Sequence, residues 1–267
     1  MENNCTHCNQ LITENFCSNC GQKKYKRIDR KYLWEELQYT IFHTNKGLLY
    51  SIKNIIKNPG KTARAFIDGD RVNHYKPILL VFLLSGISAF ISYKIIGLNE
   101  MMGTFYDQEK LNSPFMNDYM SFISSYNSIF MLLLLPCFAL MTKLAFRKWG
   151  QNYYEHVVMN AYILSFYTLV SIILVYPILY FYKNNPEQII PIVSMSMLIL
   201  PFVLIWFFKE FYADKPLKSI IIRSLFIILW ALVFFFLLVI AMGIAGFVYG
   251  MIKGPEAMEY FLPQQKP

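Results

Sequence analysis

The chain has 267 residues, 55% of them hydrophobic and 17% aromatic, with only 16% charged and a mean hydropathy of +0.35. A soluble domain carries about a quarter charged residues, so this composition excludes a wholly water-exposed surface. The net charge of +8 does not argue for nucleic acid, because Lys and Arg retained in cytoplasmic loops give a membrane protein the same bias.

The first feature along the chain is a pair of C-x-x-C turns, Cys5-Thr6-His7-Cys8 and Cys17-Ser18-Asn19-Cys20-Gly21. Each turn can supply two corners of a tetrahedron, and four thiolates at this spacing read as a structural zinc site. Gly21 lets the backbone turn tightly and aim amide N–H groups at sulfur. Disulfides or a redox dithiol are the competing readings, and a cytoplasmic position disfavours both. Residues 1–22 cannot bury enough apolar surface to fold alone, so a bound Zn2+ would contribute folding energy on the order of 10–16 kcal/mol. Four cysteine ligands leave no open coordination position, which argues for a structural metal and against a catalytic one. His7 could replace one ligand, although an exposed place in the knuckle is the simpler expectation. The first apolar run lies far from Met1, so no cleavable signal peptide is expected.

Residues 23–76 form a basic connector. Lys23, Lys24, Lys26, Arg27, Arg30 and Lys31 alternate with Tyr25, Tyr32 and Trp34. Next to a membrane domain this pattern favours anionic lipid headgroups over nucleic acid, each cation contributing roughly 1 kcal/mol near the surface. Leu33, Leu37 and Ile41, then Leu48, Ile52 and Ile55 with Ile56, recur at helical spacing and predict two amphipathic interfacial helices. Asn58-Pro59 reads as an N-cap with Pro at the first helical position, opening a short helix through Ile67 that Asp68-Gly69 ends. Gly60-Lys61-Thr62 is not a phosphate loop, because Ile55 stands where that motif needs Gly and no strand precedes it.

Five membrane spans follow, placed by the cost of burying a charge at mid-span, about 2.5–3.5 kcal/mol. They are expected at about 77–97, 121–142, 157–181, 189–208 and 222–250, within a helical domain over 77–253 and before a tail over 254–267. Twenty Lys and Arg fall on one side of these spans and five on the other, alternating loop by loop. The N-terminus is therefore expected in the cytoplasm and the C-terminus outside. The fold class expected is an all-α multi-pass membrane protein behind a small zinc knuckle.

Phe16-Cys17-Ser18-Asn19-Cys20-Gly21-Gln22, then Asn58-Pro59-Gly60, Phe66-Ile67-Asp68-Gly69-Asp70-Arg71, Tyr75-Lys76-Pro77 and Tyr154-Glu155-His156 occur in that order. This succession resembles a bacterial membrane family named domain of unknown function 3667, departing from it at Asp70, where a Lys is expected. The resemblance implies a zinc-ribbon-like module on a multi-span domain in the bacterial inner membrane. It implies no activity.

Within the spans no Asp, Glu or Arg lies near a centre, which disfavours a proton-coupled transporter. Pro136, Pro177 and Pro201 remove backbone hydrogen bonds in three spans and are expected to kink them. Gly246 and Gly250 form a G-x-x-x-G pair suited to close helix contact, within the chain or in a homo-oligomer. Asn127 and Asn160 are expected as interhelical hydrogen-bond partners. Glu155 and His156 form an acid–imidazole pair that, with His43 and His74, could make a second polar or metal site; the simpler reading is a helix-start carboxylate and an interfacial imidazole. The function expected is a non-enzymatic scaffold or accessory subunit whose zinc module docks a cytoplasmic protein partner. The alternatives are a channel or transporter for a neutral or lipidic solute, and a membrane enzyme using Glu155 and His156.

Overall fold

The computed structural model describes residues 4, 8, 10–21, 47–71, 74–254 and 259–263. It divides into two compact units, Met1–Lys46 and Gly47–Pro267. In the first unit, Asn4 and Leu11 form an isolated antiparallel bridge, and Ile12 and Cys17 are buried with Cys8 packed against them.

The second unit is helical throughout its regular structure among the described residues. Five of its helices are long and apolar enough to cross a membrane: Pro77–Ile95, Asn127–Ala145, Tyr153–Phe181, Pro186–Phe211 and Leu217–Ile252, here spans 1 to 5. Spans 1, 2 and 3 pack mutually, and span 5 packs against spans 2 and 4. The main core joins Leu80 and Leu84 of span 1, Met159 and Tyr162 of span 3, Phe207 and Phe208 of span 4 and Ile220 of span 5.

The observed span ends differ from the expected ones for identifiable reasons. Span 1 stops at Ile95 because Gly97 adopts a left-handed conformation (φ 78°). Span 2 starts at Asn127, six residues late, because the helix of the preceding connection ends at Ser125. Span 3 starts at Tyr153, where Asn152 and Glu155 form a reciprocal capping box. Such a box satisfies two of the orphan N–H groups at a helix start. Span 5 starts at Leu217, ahead of Arg223. The charge-exclusion rule placed Arg223 at the edge of the span, whereas its guanidinium donates to the Ala145 carbonyl at the end of span 2 and lies 4.7 Å from the Trp149 ring centroid. The long connection between spans 1 and 2 is not an open loop, since it folds into helices Leu98–Gln108 and Pro114–Ser125.

Two spans carry widened turns. The Ile96 N–H reaches the Ile91 carbonyl, and the Tyr176 N–H reaches that of Ser171, each five residues back. In span 3 the widened turn directly precedes Pro177, whose missing N–H and bulky ring are poorly accommodated by a regular α-turn. Span 4 breaks between Leu198 and Leu200, just ahead of Pro201. Pro136, by contrast, lies inside one continuous helix.

Ahead of span 1, helix Gly47–Lys57 buries Gly47, Ser51 and Ile55, with Leu48 and Ile52 partly covered and Ile56 turned outward. The next helix, Pro59–Ile67, begins as its sequence dictates: Asn58 is extended and accepts a hydrogen bond from the Lys61 N–H at 2.9 Å. The same Asn58 donates through Nδ2 to Glu210 Oε2 at the end of span 4, also at 2.9 Å. Gly60 faces that span end so closely that a Cβ would lie 2.3 Å from the Phe207 carbonyl oxygen. Only glycine permits this backbone approach.

Candidate metal centre and buried polar sites

The cysteine module brings Cys8, Cys17 and Cys20 together, their sulfurs all within 4.8 Å of one another. Cys8 Sγ and Cys17 Sγ are 3.5 Å apart. That is far beyond a disulfide bond of about 2.05 Å. It is close to the roughly 3.8 Å separating two sulfurs on one tetrahedral zinc with Zn–S near 2.3 Å.

The local chain makes the site. Gly21 takes φ 72° and its N–H donates to the Cys17 carbonyl at 2.9 Å, closing the turn over the second cysteine pair. The N–H groups of Cys20 and Asn19 bond the Cys17 sulfur and, with the neighbouring thiols, pull its pKa down to about 6. A thiol so placed is readily held as the thiolate that a metal requires. These three residues could hold a soft divalent cation such as Zn2+. Cys5, the fourth ligand expected from the sequence, lies outside the described residues, as do His7, His43 and the cations Lys23, Lys24, Lys26, Arg27, Arg30 and Lys31.

Glu155 and His156 serve different neighbours. The Glu155 carboxylate accepts from the Asn152 N–H at 2.7 Å, and its own N–H bonds Asn152 Oδ1 at 3.0 Å. It is a capping residue. His156 is fully buried, its Nδ1 lying 3.2 Å from Thr142 Oγ1 in span 2. Asn160 Nδ2 donates to the same oxygen at 2.8 Å. Thr142 has one hydroxyl proton and donates it to the Phe138 carbonyl at 3.0 Å. With that proton on the backbone carbonyl, the Thr142 oxygen accepts from Asn160 and, in the Nδ1–H tautomer, from His156. That tautomer leaves His156 Nε2 as a buried acceptor with no partner among the described residues. Asn127, the other expected interhelical residue, donates to the Ser85 carbonyl at 3.3 Å.

His74 sits apart from this cluster. Its side chain is 3% exposed, with Nδ1 3.5 Å from Ser51 Oγ and Nε2 3.9 Å from Asp70. The Ser51 hydroxyl oxygen also accepts the Tyr75 N–H at 2.7 Å, which secures the approach to span 1. The rings of Tyr50 and Phe66 stand edge-on to the imidazole, 5.0 and 6.2 Å away. Burial lowers the His74 pKa from its ordinary value, and Asp70 opposes that shift.

Sequence reasoning missed Ser51, Thr142, Glu210 and Arg223. Each acts through a partner remote in sequence, and no local pattern marks it. At the far end of span 5, a Cβ on Gly246 would lie 3.6 Å from the Phe261 ring, whereas one on Gly243 would meet nothing within 4 Å.

Residues 45–89 match the family model of a protein of unknown function, DUF3667. The matched segment holds the two helices ahead of span 1 and the first part of that span, with Ser51, Asn58, Gly60, Asp70 and His74 among its residues. The match supports the resemblance over this segment; the cysteine knuckle and Tyr154-Glu155-His156 lie outside it. Comparison with curated proteins and with solved structures returned no match.

Proposed function

We propose that the chain is a non-enzymatic protein of the bacterial inner membrane, with a cytoplasmic N-terminus, whose structural zinc knuckle docks a cytoplasmic protein partner. The observation that carries this reading is the convergence of the Cys8, Cys17 and Cys20 thiols within 4.8 Å. With Cys5 as the fourth thiolate expected from the sequence, the site would be closed, so the metal would fold the module and perform no reaction. Two large apolar side chains of the module face outward, Leu11 at 60% and Phe16 at 58% exposure. A metal-stapled module presenting an apolar pair is suited to contact with another protein, since apolar and aromatic anchors dominate such interfaces. The basic residues of the connector would then favour anionic lipid headgroups.

Two measurements test the two halves separately. The purified full chain should carry about one zinc, lost in Cys17→Ser. Leu11→Asp with Phe16→Asp should keep the zinc while abolishing crosslinks to the partner that wild type forms in cells. Absence of zinc, or undiminished crosslinking by the double variant, overturns the corresponding half.

A second reading, handling of a neutral or lipidic solute, is favoured by one observation. The widened turns of spans 1 and 3 frame a pocket of about 240 Å³ lined by Ile91, Ile95, Ile172, Tyr176, Pro177 and neighbours. Widened turns of this kind often accompany function. Filling the pocket with Ile172→Trp should then slow the movement of a labelled phospholipid across vesicles containing the protein, and an unchanged rate rejects the reading.

A further inference from the structure

A second groove runs between the end of span 2 and the start of span 5. Leu144, Ala145, Ser219, Ile222, Arg223 and Phe226 line it, and it holds about 360 Å³. Its rim is apolar and outward-facing: Leu144, Ile222 and Phe226 are 44%, 58% and 42% exposed. Arg223 is the one charged side chain among those lining residues.

The guanidinium is held in place from two directions. One N–H group donates to the Ala145 carbonyl, an orphan acceptor at the end of span 2. The guanidinium carbon also lies 4.7 Å from the Trp149 ring centroid and 5.9 Å from that of Phe146. An arginine has five N–H donors in a rigid plane and keeps its charge at any accessible pH. No other acceptor bonds this one among the described residues, and no carboxylate lies within ion-pair distance of it. The result is an oriented cation with unclaimed donors at the base of an apolar groove.

Its depth indicates what fills it. Span 5 begins at Leu217. Arg223 lies six residues further on, which at 1.5 Å per residue is about 9 Å along the axis. Lys218 in the first turn of span 5, and Arg147 and Lys148 just beyond span 2, mark the polar side. In a bilayer crossed by these spans, that depth would put the guanidinium at the boundary between headgroups and acyl chains, with the exposed side chains beyond it in hydrocarbon.

We infer that this groove is a binding site for one anionic glycerophospholipid. The lipid phosphate takes the free face of Arg223, and an acyl chain lies along Leu144, Ile222 and Phe226. A soluble phosphate would gain nothing from the three apolar side chains. A zwitterionic lipid would bring its ammonium towards Arg223 and Lys218, and the Trp149 face that could receive it is already taken by the guanidinium. The site is independent of the cysteine knuckle and of any partner docked there.

The test is native mass spectrometry of the full chain released from nanodiscs containing equal phosphatidylglycerol and phosphatidylcholine. One phosphatidylglycerol per chain should be retained, favoured over phosphatidylcholine by about tenfold, in line with repulsion of the choline ammonium by Arg223 and Lys218. Arg223→Gln should lose that preference. Because Arg223 also supports the end of span 2, Ser219→Trp provides a second variant, filling the groove while keeping the cation; it should lose the lipid with its unfolding midpoint unchanged. Equal retention of the two lipids overturns the assignment. So does undiminished phosphatidylglycerol retention in Ser219→Trp, or displacement of the lipid by millimolar inorganic phosphate, which would show a soluble-anion site instead.

Discussion

Replacing Gly60 with alanine should destabilise the protein, although helix propensity alone says the opposite. Alanine is favoured over glycine inside a helix by about 0.8–1 kcal/mol. A Cβ on Gly60, however, would lie 2.3 Å from the Phe207 carbonyl oxygen, 2.8 Å from Glu210 Cβ and 3.1 Å from the Phe211 amide nitrogen. Two of these three atoms are backbone, so helix Pro59–Ile67 must retreat by about 1 Å to reach ordinary contact. Overpacking of this kind costs about 1–3 kcal/mol. The retreat also stretches the Asn58–Glu210 hydrogen bond of 2.9 Å. A bond to a charged acceptor contributes about 1.5–3 kcal/mol. The Lys61–Glu210 ion pair adds little, since the Lys61 side chain is 70% exposed. The net expectation for Gly60→Ala is a loss of roughly 2–4 kcal/mol, the balance of the terms above. Reversible unfolding in mixed micelles, titrated with a denaturing detergent, reads it directly. Gly103→Ala is the control, because Gly103 is also helical but a Cβ there meets nothing within 4 Å. It should gain about 0.5–1 kcal/mol. If Gly60→Ala is as stable as the native chain, the close approach to span 4 is wrong.

Two further expectations follow from the buried polar groups. Thr142→Val removes the side-chain partner of His156 Nδ1 and of one Asn160 N–H and should cost roughly 2–6 kcal/mol, at about 1–3 for each unsatisfied group. Thr142→Ser keeps the hydroxyl and should fall within about 1 kcal/mol of wild type on the same unfolding assay; equal losses for the two would remove the hydroxyl from the account. His74, its pKa lowered by burial on folding, takes up a proton less readily in the folded chain than in the unfolded one. Stability should therefore decline as pH falls through about 6.5. Unfolding midpoints at pH 7 and pH 5 should differ less in His74→Phe than in wild type, and identical pH slopes would refute this linkage.

Different parts of the molecule were legible in the sequence to different degrees, and the division follows the range of the forces involved. Asn58-Pro59 opens its helix and Asp68-Gly69 follows its end, because capping is decided within a few residues. The five spans emerged because charge exclusion acts on every residue of a long segment. The same rule misplaced the start of span 5, since it does not know that Arg223 finds a carbonyl on span 2 and a ring beyond it. Glu155 was readable as a helix-start carboxylate, and its capping partner Asn152 lies three residues away. His156 was not readable as a core residue, because Thr142 lies on another span and only packing brings them together. Gly60 resembled part of a nucleotide loop in isolation; its real requirement is the backbone of Phe207, far along the chain.

That distance bears on the order in which the protein is made. Asn58 and Glu210 are separated by 152 positions. At about 5–20 residues per second, synthesis of that interval takes roughly 8–30 s. During this time Pro59–Ile67 has been translated but its receiving surface on span 4 has not. The segment matched by the family model therefore emerges early and matures late, its amphipathic helices waiting for a docking surface that the ribosome has yet to deliver.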